Sequence, residues 1–233
     1  MLKFYKILSY FLVPIILLNL FLRICFKKED KNRYKERLGK NNLNYNFSKK
    51  IIWIHAASIG EFKSSDLIIE KYYKEFHILV TTTTKTSAEF IKKYYNNKVF
   101  HQYIPYDVPL WCLRFLDYWK PCLILWIESD IWPNMLNIIR TKKIKCLYIN
   151  ARLSPKSYKK WLYLKNLYSV SLNTFSKIFA QSSKDLERIE NLSDKKIEYI
   201  GNLKLSNIKE NNVDQNNKRI FAIMIASSHR SEE

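Results

Sequence analysis

The sequence predicts an α/β fold: a Rossmann-like parallel sheet preceded by a membrane-anchor helix. Three observations carry that expectation. From Lys50 onward, short apolar runs alternate with amphipathic stretches of helix length, the order that builds a parallel sheet through right-handed crossovers. Several of those runs are almost wholly apolar, as strands buried on both faces must be. Ahead of them, residues 7–22 carry no charge, and Arg23 is the only charge as far as Phe26.

Taken in order, the anchor comes first. Its roughly twenty apolar residues match the thickness of a bilayer core, although Pro14 and Asn19 interrupt the run. No small-residue cleavage site follows, so a removable signal peptide is not expected. Behind it Arg23, Lys27, Lys28, Lys31, Arg33, Lys35, Arg37 and Lys40 outnumber Glu29, Asp30 and Glu36. That excess places the flank on the cytoplasmic side, against anionic lipid.

Strands are expected at 51–56, 77–83, 98–104, 122–128, 144–150, 177–181 and 196–200. Helices are expected at 61–75, 86–96, 109–119, 131–142, 155–174 and 182–192. Thr86-Ser87-Ala88-Glu89 and Ser182-Ser183-Lys184-Asp185 read as helix starts, where short polar side chains take up free backbone N–H groups. Residues 206–219 are polar and Asn-rich, which reads as a linker, and Ile220 to Ala226 forms one further strand-like run. The expected division is an anchor at 1–27, a Rossmann-like domain at 28–205, a linker at 206–219, and at 220–233 the first strand of a second domain that the chain does not complete.

Composition narrows the chemistry. The 233 residues hold three glycines, Gly39, Gly60 and Gly201, where ordinary usage of about 7% would give about sixteen. Neither Gly-rich phosphate motif can be written with them, so a P-loop NTPase or an ordinary NAD-binding domain is not expected. A net charge of +19 attracts polyanions. Nine of the forty basic residues are Arg, and the chain is rich in Asn, Ile and Tyr, so much of that charge reads as compositional drift over a smaller basic face. No nucleic-acid motif accompanies it. Cys25, Cys122, Cys112 and Cys146 form no C-x-x-C pair; they are expected as reduced, mostly buried thiols, with no metal site. His55, His77 and His101 fall inside strand patterns and are expected as satisfied core or rim residues.

Candidate chemistry gathers where strands end, since ligands of such sheets sit beyond the strand carboxyl ends. His55-Ala-Ala-Ser58-Ile-Gly60-Glu61 turns on small residues and places Glu61 at a helix start. There it is either an acceptor for a substrate hydroxyl proton or an ordinary acidic helix-start residue. Glu128, before Asp130 and Trp132-Pro133, ends the fourth strand on the same edge. The pair could share hydroxyl activation and stabilisation of a cationic sugar-like transition state, or be separate surface acids. Arg152 suits a phosphate or carboxylate, or a structural acid partner. Lys204, in Gly201-Asn-Leu-Lys204, could neutralise a phosphate or developing negative charge.

Together the segments resemble one family. His-Ala-Ala-Ser-Ile-Gly-Glu, Val-Thr-Thr-Thr-Thr-Lys-Thr, Ile-Pro-Tyr-Asp-Val-Pro, Trp-Ile-Glu-Ser-Asp-Ile-Trp-Pro-Asn, Asn-Ala-Arg-Leu-Ser and Gly-Asn-Leu-Lys occur in that order. The series resembles the acceptor-side half of the 3-deoxy-D-manno-octulosonic acid (Kdo) transferases of lipopolysaccharide synthesis. The resemblance implies the N-terminal domain of a GT-B glycosyltransferase, moving Kdo from CMP-Kdo to a lipid A precursor (lipid IVA) at the cytoplasmic face of the inner membrane. It implies no metal and no cofactor. It makes Glu61 the proton acceptor, Glu128 and Lys204 the transition-state stabilisers, and Ser58, Gly60 and Arg152 substrate-binding residues. It also assigns the basic, anchor-proximal face to the phosphorylated lipid. Ile59 and Asp130 depart mildly from the family pattern, and residues 85–87 lack a Gly often found there. The final Ser-Ser-His-Arg-Ser-Glu-Glu looks like a degraded family segment. With the CMP-binding loops expected to be missing, two alternatives stand beside the transferase: a non-catalytic membrane-bound module for anionic lipid, or half of an enzyme completed by a separately encoded donor domain.

Overall fold

The structure, a computed structural model, describes residues 1–41, 48–128 and 130–199. Seven strands form one sheet: β1 (Ile51–Ala56), β2 (His77–Thr82), β3 (Val99–Tyr103), β4 (Leu123–Ile127), β5 (Lys145–Ala151), β6 (Lys177–Ala180) and β7 (Glu198–Tyr199). Every pairing is parallel, in the order β3-β2-β1-β4-β5-β6-β7. All seven expected strands are present, with ends shifted by a residue or two. The order reverses between β1 and β4, and at such a reversal a crevice opens beyond the strand ends.

The helices are α1 (Leu2–Phe11), α2 (Val13–Cys25), α3 (Ile59–Phe62), α4 (Asp66–Tyr72), α5 (Lys85–Tyr95), α6 (Pro109–Trp119), α7 (Pro133–Thr141), α8 (Pro155–Tyr163), α9 (Lys165–Leu172) and α10 (Ser183–Glu190). Alternation along the strands splits the core into two layers. Ile52, Ile54, Val80, Leu125 and Ile149 pack under α3, α4 and α5. Trp53, Leu79, Trp126 and Tyr148 pack under α6, α7, α9 and α10. Both sheet faces are therefore covered, which explains why the strands read as near-continuous apolar runs. Ser182 caps α10 as expected, accepting from the Asp185 N–H. The start expected at Thr86 lies two residues earlier: Thr84 accepts from the Ser87 N–H and caps α5.

Three expected features differ. The stretch 61–75 is broken by a 3-10 turn at Lys63–Ser65, and 155–174 divides at Leu164. The expected anchor segment is not one helix. No single described helix is long and apolar enough to cross a membrane, whereas α1 and α2, bent by 54°, pass together by length and composition. Pro14 accounts for the bend: it has no N–H to give, and its ring crowds the carbonyl one turn back.

Two members of the basic stretch after α2 are taken up by the fold. Arg33 pairs bidentately with Glu36 (2.8 and 2.9 Å) and donates to the His101 carbonyl. Buried Arg37 donates to Glu29, to the Thr83 carbonyl (2.6 Å) and to the Ile104 carbonyl, stacked over the Tyr103 ring. Glu36 accepts from the Tyr103 N–H. Arg33 and Arg37 thus clamp the segment onto the carboxyl ends of β2 and β3. A planar fork with several carbonyls in reach is held there more strongly than at a wet headgroup surface. Lys27, Lys28, Lys31, Lys35 and Lys40 stay exposed.

Gly39 closes this segment. Its φ is +71°, and a Cβ there would lie 2.1 Å from the Trp111 carbonyl oxygen and 2.8 Å from its carbon. Gly39→Ala combines left-handed strain with a backbone clash and is expected to cost about 3 kcal/mol. In a chain of this length that lowers Tm by about 10 °C, measurable by calorimetry; an unchanged Tm would mean the segment can lift off α6 freely.

The cysteines divide evenly. Cys112 and Cys146 are buried, with burial pushing both thiols up, while Cys25 and Cys122 are exposed rather than mostly buried as expected; all four are free thiols.

Candidate functional site at the strand carboxyl edge

Glu61 belongs to a reciprocal cap. Ser58 Oγ accepts from the Glu61 N–H (3.3 Å), while the Glu61 carboxylate accepts from the Ala57 N–H (2.8 Å) and from Ser58 Oγ (3.2 Å). This is the capping-box arrangement, shifted by one donor. It holds the carboxylate at the mouth of the β1 turn, half-buried. Thr83 secures the other side of that turn, its N–H and its hydroxyl both donating to the Ala57 carbonyl.

Gly60 does not serve the turn in the way expected. It is an ordinary helical residue with no left-handed φ, and a Cβ added there would meet only Ser58 Oγ, at 3.9 Å. The space above it is open.

Glu128 follows β4 directly, half-buried, with φ +49°; Asn150, buried on the neighbouring strand, has φ +56°. Two non-glycine residues in the left-handed region, side by side, store about 1–3 kcal/mol each. The arrangement brings Asn150 Nδ2 to 2.5 Å from Glu128 Oε1, while the Glu128 N–H donates to the Ile149 carbonyl. Ser64, one helical turn past Glu61, donates to the same Glu128 oxygen at 3.4 Å. The two carboxylates therefore border one edge, on either side of the β1–β4 reversal. Tyr148 lies beneath it. Burial pushes its phenol well up, and the charges of Asp130, Glu61 and Asp185 push in the same direction.

Arg152 is exposed two residues beyond Asn150. Its loop is tied to α10: the Leu153 N–H donates to Asp185, and Arg188 donates to the Leu153 carbonyl. Lys204 and the expected linker and final strand lie outside the described residues. Ser58, Gly60, Glu61, Glu128 and Arg152 thus share the carboxyl edge of the sheet.

Asn150 and Ser64 were not singled out as functional in the sequence. Asn150 sits in the Asn-Ala-Arg-Leu-Ser motif, but no spacing rule announces that a strand-end amide will turn back on a neighbouring carboxylate. Among the described residues, no three His, Cys, Asp or Glu side chains converge as metal ligands. A groove of about 650 Å³ does exist, lined by Arg33, Tyr73, His77, Lys92 and His101. It runs along edge strand β3, and none of the candidate residues lines it.

Comparison with known proteins identifies the family. The family model described as 3-deoxy-D-manno-octulosonic-acid transferase (kdotransferase) matches residues 32–207. The chain is 34% identical to the 3-deoxy-D-manno-octulosonic acid transferase of Rickettsia bellii, covering 100% of this chain and 58% of that protein. It is 30% identical to the Haemophilus influenzae enzyme of the same name, over 74% of this chain and 42% of that one. It is 35% identical to a probable mitochondrial 3-deoxy-D-manno-octulosonic acid transferase of Arabidopsis thaliana, over 76% and 40%. The chain spans about 60% or less of the length of these relatives. A match over three quarters of its residues, on a parallel sheet of GT-B N-terminal type, makes this chain a member of the Kdo transferase family.

Proposed function

We propose that this chain supplies the acceptor-side half of an inverting transferase that moves Kdo from CMP-Kdo to a lipid A precursor at the cytoplasmic face of the inner membrane. The single observation that supports this most strongly is the placement of Glu61 and Glu128 just beyond β1 and β4, flanking the strand-order reversal of a Kdo-transferase-family domain. In the reaction, the acceptor hydroxyl oxygen forms a bond to the anomeric carbon of Kdo as the bond to CMP breaks, and CMP leaves with the electron pair. Glu61 takes the hydroxyl proton. Glu128, held by Asn150, offsets the positive charge that builds on the sugar ring. Lys204 offsets the negative charge on the leaving phosphate. Ser58, Gly60 and Arg152 contact substrate, Gly60 by leaving room for close approach. The bent α1–α2 pair anchors the domain to the membrane.

The test is transfer of labelled Kdo from CMP-Kdo to a lipid A precursor, by this chain alone and with the donor-side domain of a relative supplied separately. Transfer in either arrangement supports the proposal. Retention of the lipid precursor without transfer in either would support the non-catalytic module instead. Gly60→Ala gives a sharper check on substrate contact. Gly60 has no left-handed φ and an added Cβ meets nothing closer than 3.9 Å, so Tm should hold while affinity for the lipid precursor falls. Unchanged affinity would remove Gly60 from the binding surface.

A further inference from the structure

The α8–α9 crossover carries more chain than the fold requires. Joining β5 to β6 takes about a dozen residues of crossover, and here two helices spanning residues 155–172 do it. Only α9 buries side chains, among them Leu167, Tyr168 and Leu172; α8 buries none. Tyr158 and Trp161 lean on the core from α8, with the Trp161 and Tyr168 rings 5.0 Å apart. The opposite face ends in three consecutive exposed apolar residues: Leu162 (47%), Tyr163 (87%) and Leu164 (40%). Lys156, Lys159, Lys160 and Lys165 surround them, all exposed, with no acidic residue between Ala151 and Asp185.

The composition of this elbow selects its occupant. An apolar tip with one tyrosine, ringed by lysines whose stems can lie along the acyl boundary, suits an anionic lipid surface. A protein partner would have to be strongly acidic and would gain little from so small a tip. The placement supports the same occupant. α8 packs on α9, α9 on α7, and α7 on α1, so the elbow and α1 are joined through helices on one side of the sheet. α1 is fixed there by Tyr5 donating to Asp107 (3.0 Å) and Asn134 donating to Ser9 (3.2 Å). A single domain-facing stripe, Leu2, Tyr5, Ser9, Val13, Ile16 and Leu20, runs through both anchor helices, while Phe4, Phe11, Ile15 and Phe21 are exposed.

The geometry points to the α8–α9 elbow as a second membrane-contact site, taking the headgroups and outer acyl region of an anionic bilayer. The N-terminal pair then lies along the membrane surface instead of crossing it, and the two contacts together hold the carboxyl edge of the sheet in a set orientation to the lipid. This inference rests on the membrane association proposed above, and the experiment separates the two.

An environment-sensitive fluorophore is attached to Tyr163→Cys, and in a second protein to Phe11→Cys, each in a Cys25→Ser, Cys122→Ser background. Both are mixed with vesicles of phosphatidylcholine alone or with 30% phosphatidylglycerol. A blue shift at both positions, quenched by lipids carrying a spin label on the acyl chain, is the expected result. Replacing Lys156, Lys159 and Lys160 by Gln should weaken binding to the anionic vesicles by about fivefold per lysine at low salt and leave neutral-vesicle binding unchanged. A response at 11 without one at 163 would overturn the second contact and leave the anchor. Silence at both positions would overturn the anchor as well. A concentration-dependent shift at 163 without vesicles, matched by dimer in sedimentation, would make the elbow a contact between copies and overturn the lipid assignment.

Discussion

Glu61→Gln should abolish transfer while leaving the fold intact. Glutamine retains an oxygen that accepts the Ala57 N–H, and the Ser58 cap on the Glu61 N–H does not involve the side chain. Capping boxes use Glu and Gln interchangeably, so Tm should stay within about 2 °C. What glutamine lacks is a lone pair able to take a proton. Loss of a general base lowers rates by about 10²–10⁴-fold, or about 3–5 kcal/mol of transition-state stabilisation. Glu61→Ala provides the contrast, since it also removes the acceptor for Ala57 and should cost about 1 kcal/mol of stability. The measurement is labelled-Kdo transfer in whichever arrangement of chains is active, with a melting curve of each variant. If Glu61→Gln transferred within threefold of the parent, Glu61 would be a capping residue only.

Acid should destabilise the chain well before its surface carboxylates matter. Burial pushes His55 down to about 3. Burial, with Arg33 and Arg37 beside it, pushes His101 down to about 3 as well. Once unfolded, both take up a proton near the ordinary histidine value of about 6.5. The unfolded state therefore binds more protons between those values, and stability falls as pH drops from about 6.5 towards 3. Each histidine contributes a slope of about 1.4 kcal/mol per pH unit in that window. Glu36, Asp66 and Asp107 act in the opposite sense. Burial raises all three, so their contribution is present below the ordinary carboxylate range and is lost as pH rises through the folded values.

Urea titrations at several pH values check this, with His101→Gln as the decisive variant. Arg33 donates to His101 Nδ1 (2.9 Å), and Nε2 meets Thr82 Oγ1 (3.0 Å). A glutamine amide can accept the first and donate the second without ever titrating. Its slope should be shallower by about 1.4 kcal/mol per pH unit; an identical slope would mean that His101 is protonated in the folded state.

The α/β class and the existence of all seven strands were legible in the sequence because burial on both faces leaves a direct compositional trace. A strand such as Ile51–Ala56, with every residue buried, has little room for polar types. The edge that carries the candidate site was legible for a related reason. Glu61 and Glu128 each follow an apolar run, and in a parallel sheet all such ends point the same way. Motif order carried the family, and Pro14 marked the interruption of the N-terminal apolar run, although the 54° bend between α1 and α2 was not foreseen.

Contacts between segments distant in the chain had no such trace. Arg33 and Arg37 read as part of a lipid-facing basic run, because a count of charges cannot tell a solvated guanidinium from one folded onto carbonyls 46 to 68 residues away. Asn150 became the partner of Glu128 only when β5 was laid beside β4 and both strand ends adopted a left-handed backbone. Gly60 read as a turn residue, and only the finished packing showed ordinary helix with open space above it. Local composition determined which residues had to be buried and where strands ended. The tertiary structure decided which polar side chains met, because a hydrogen bond depends on two positions and two orientations that neither segment encodes alone.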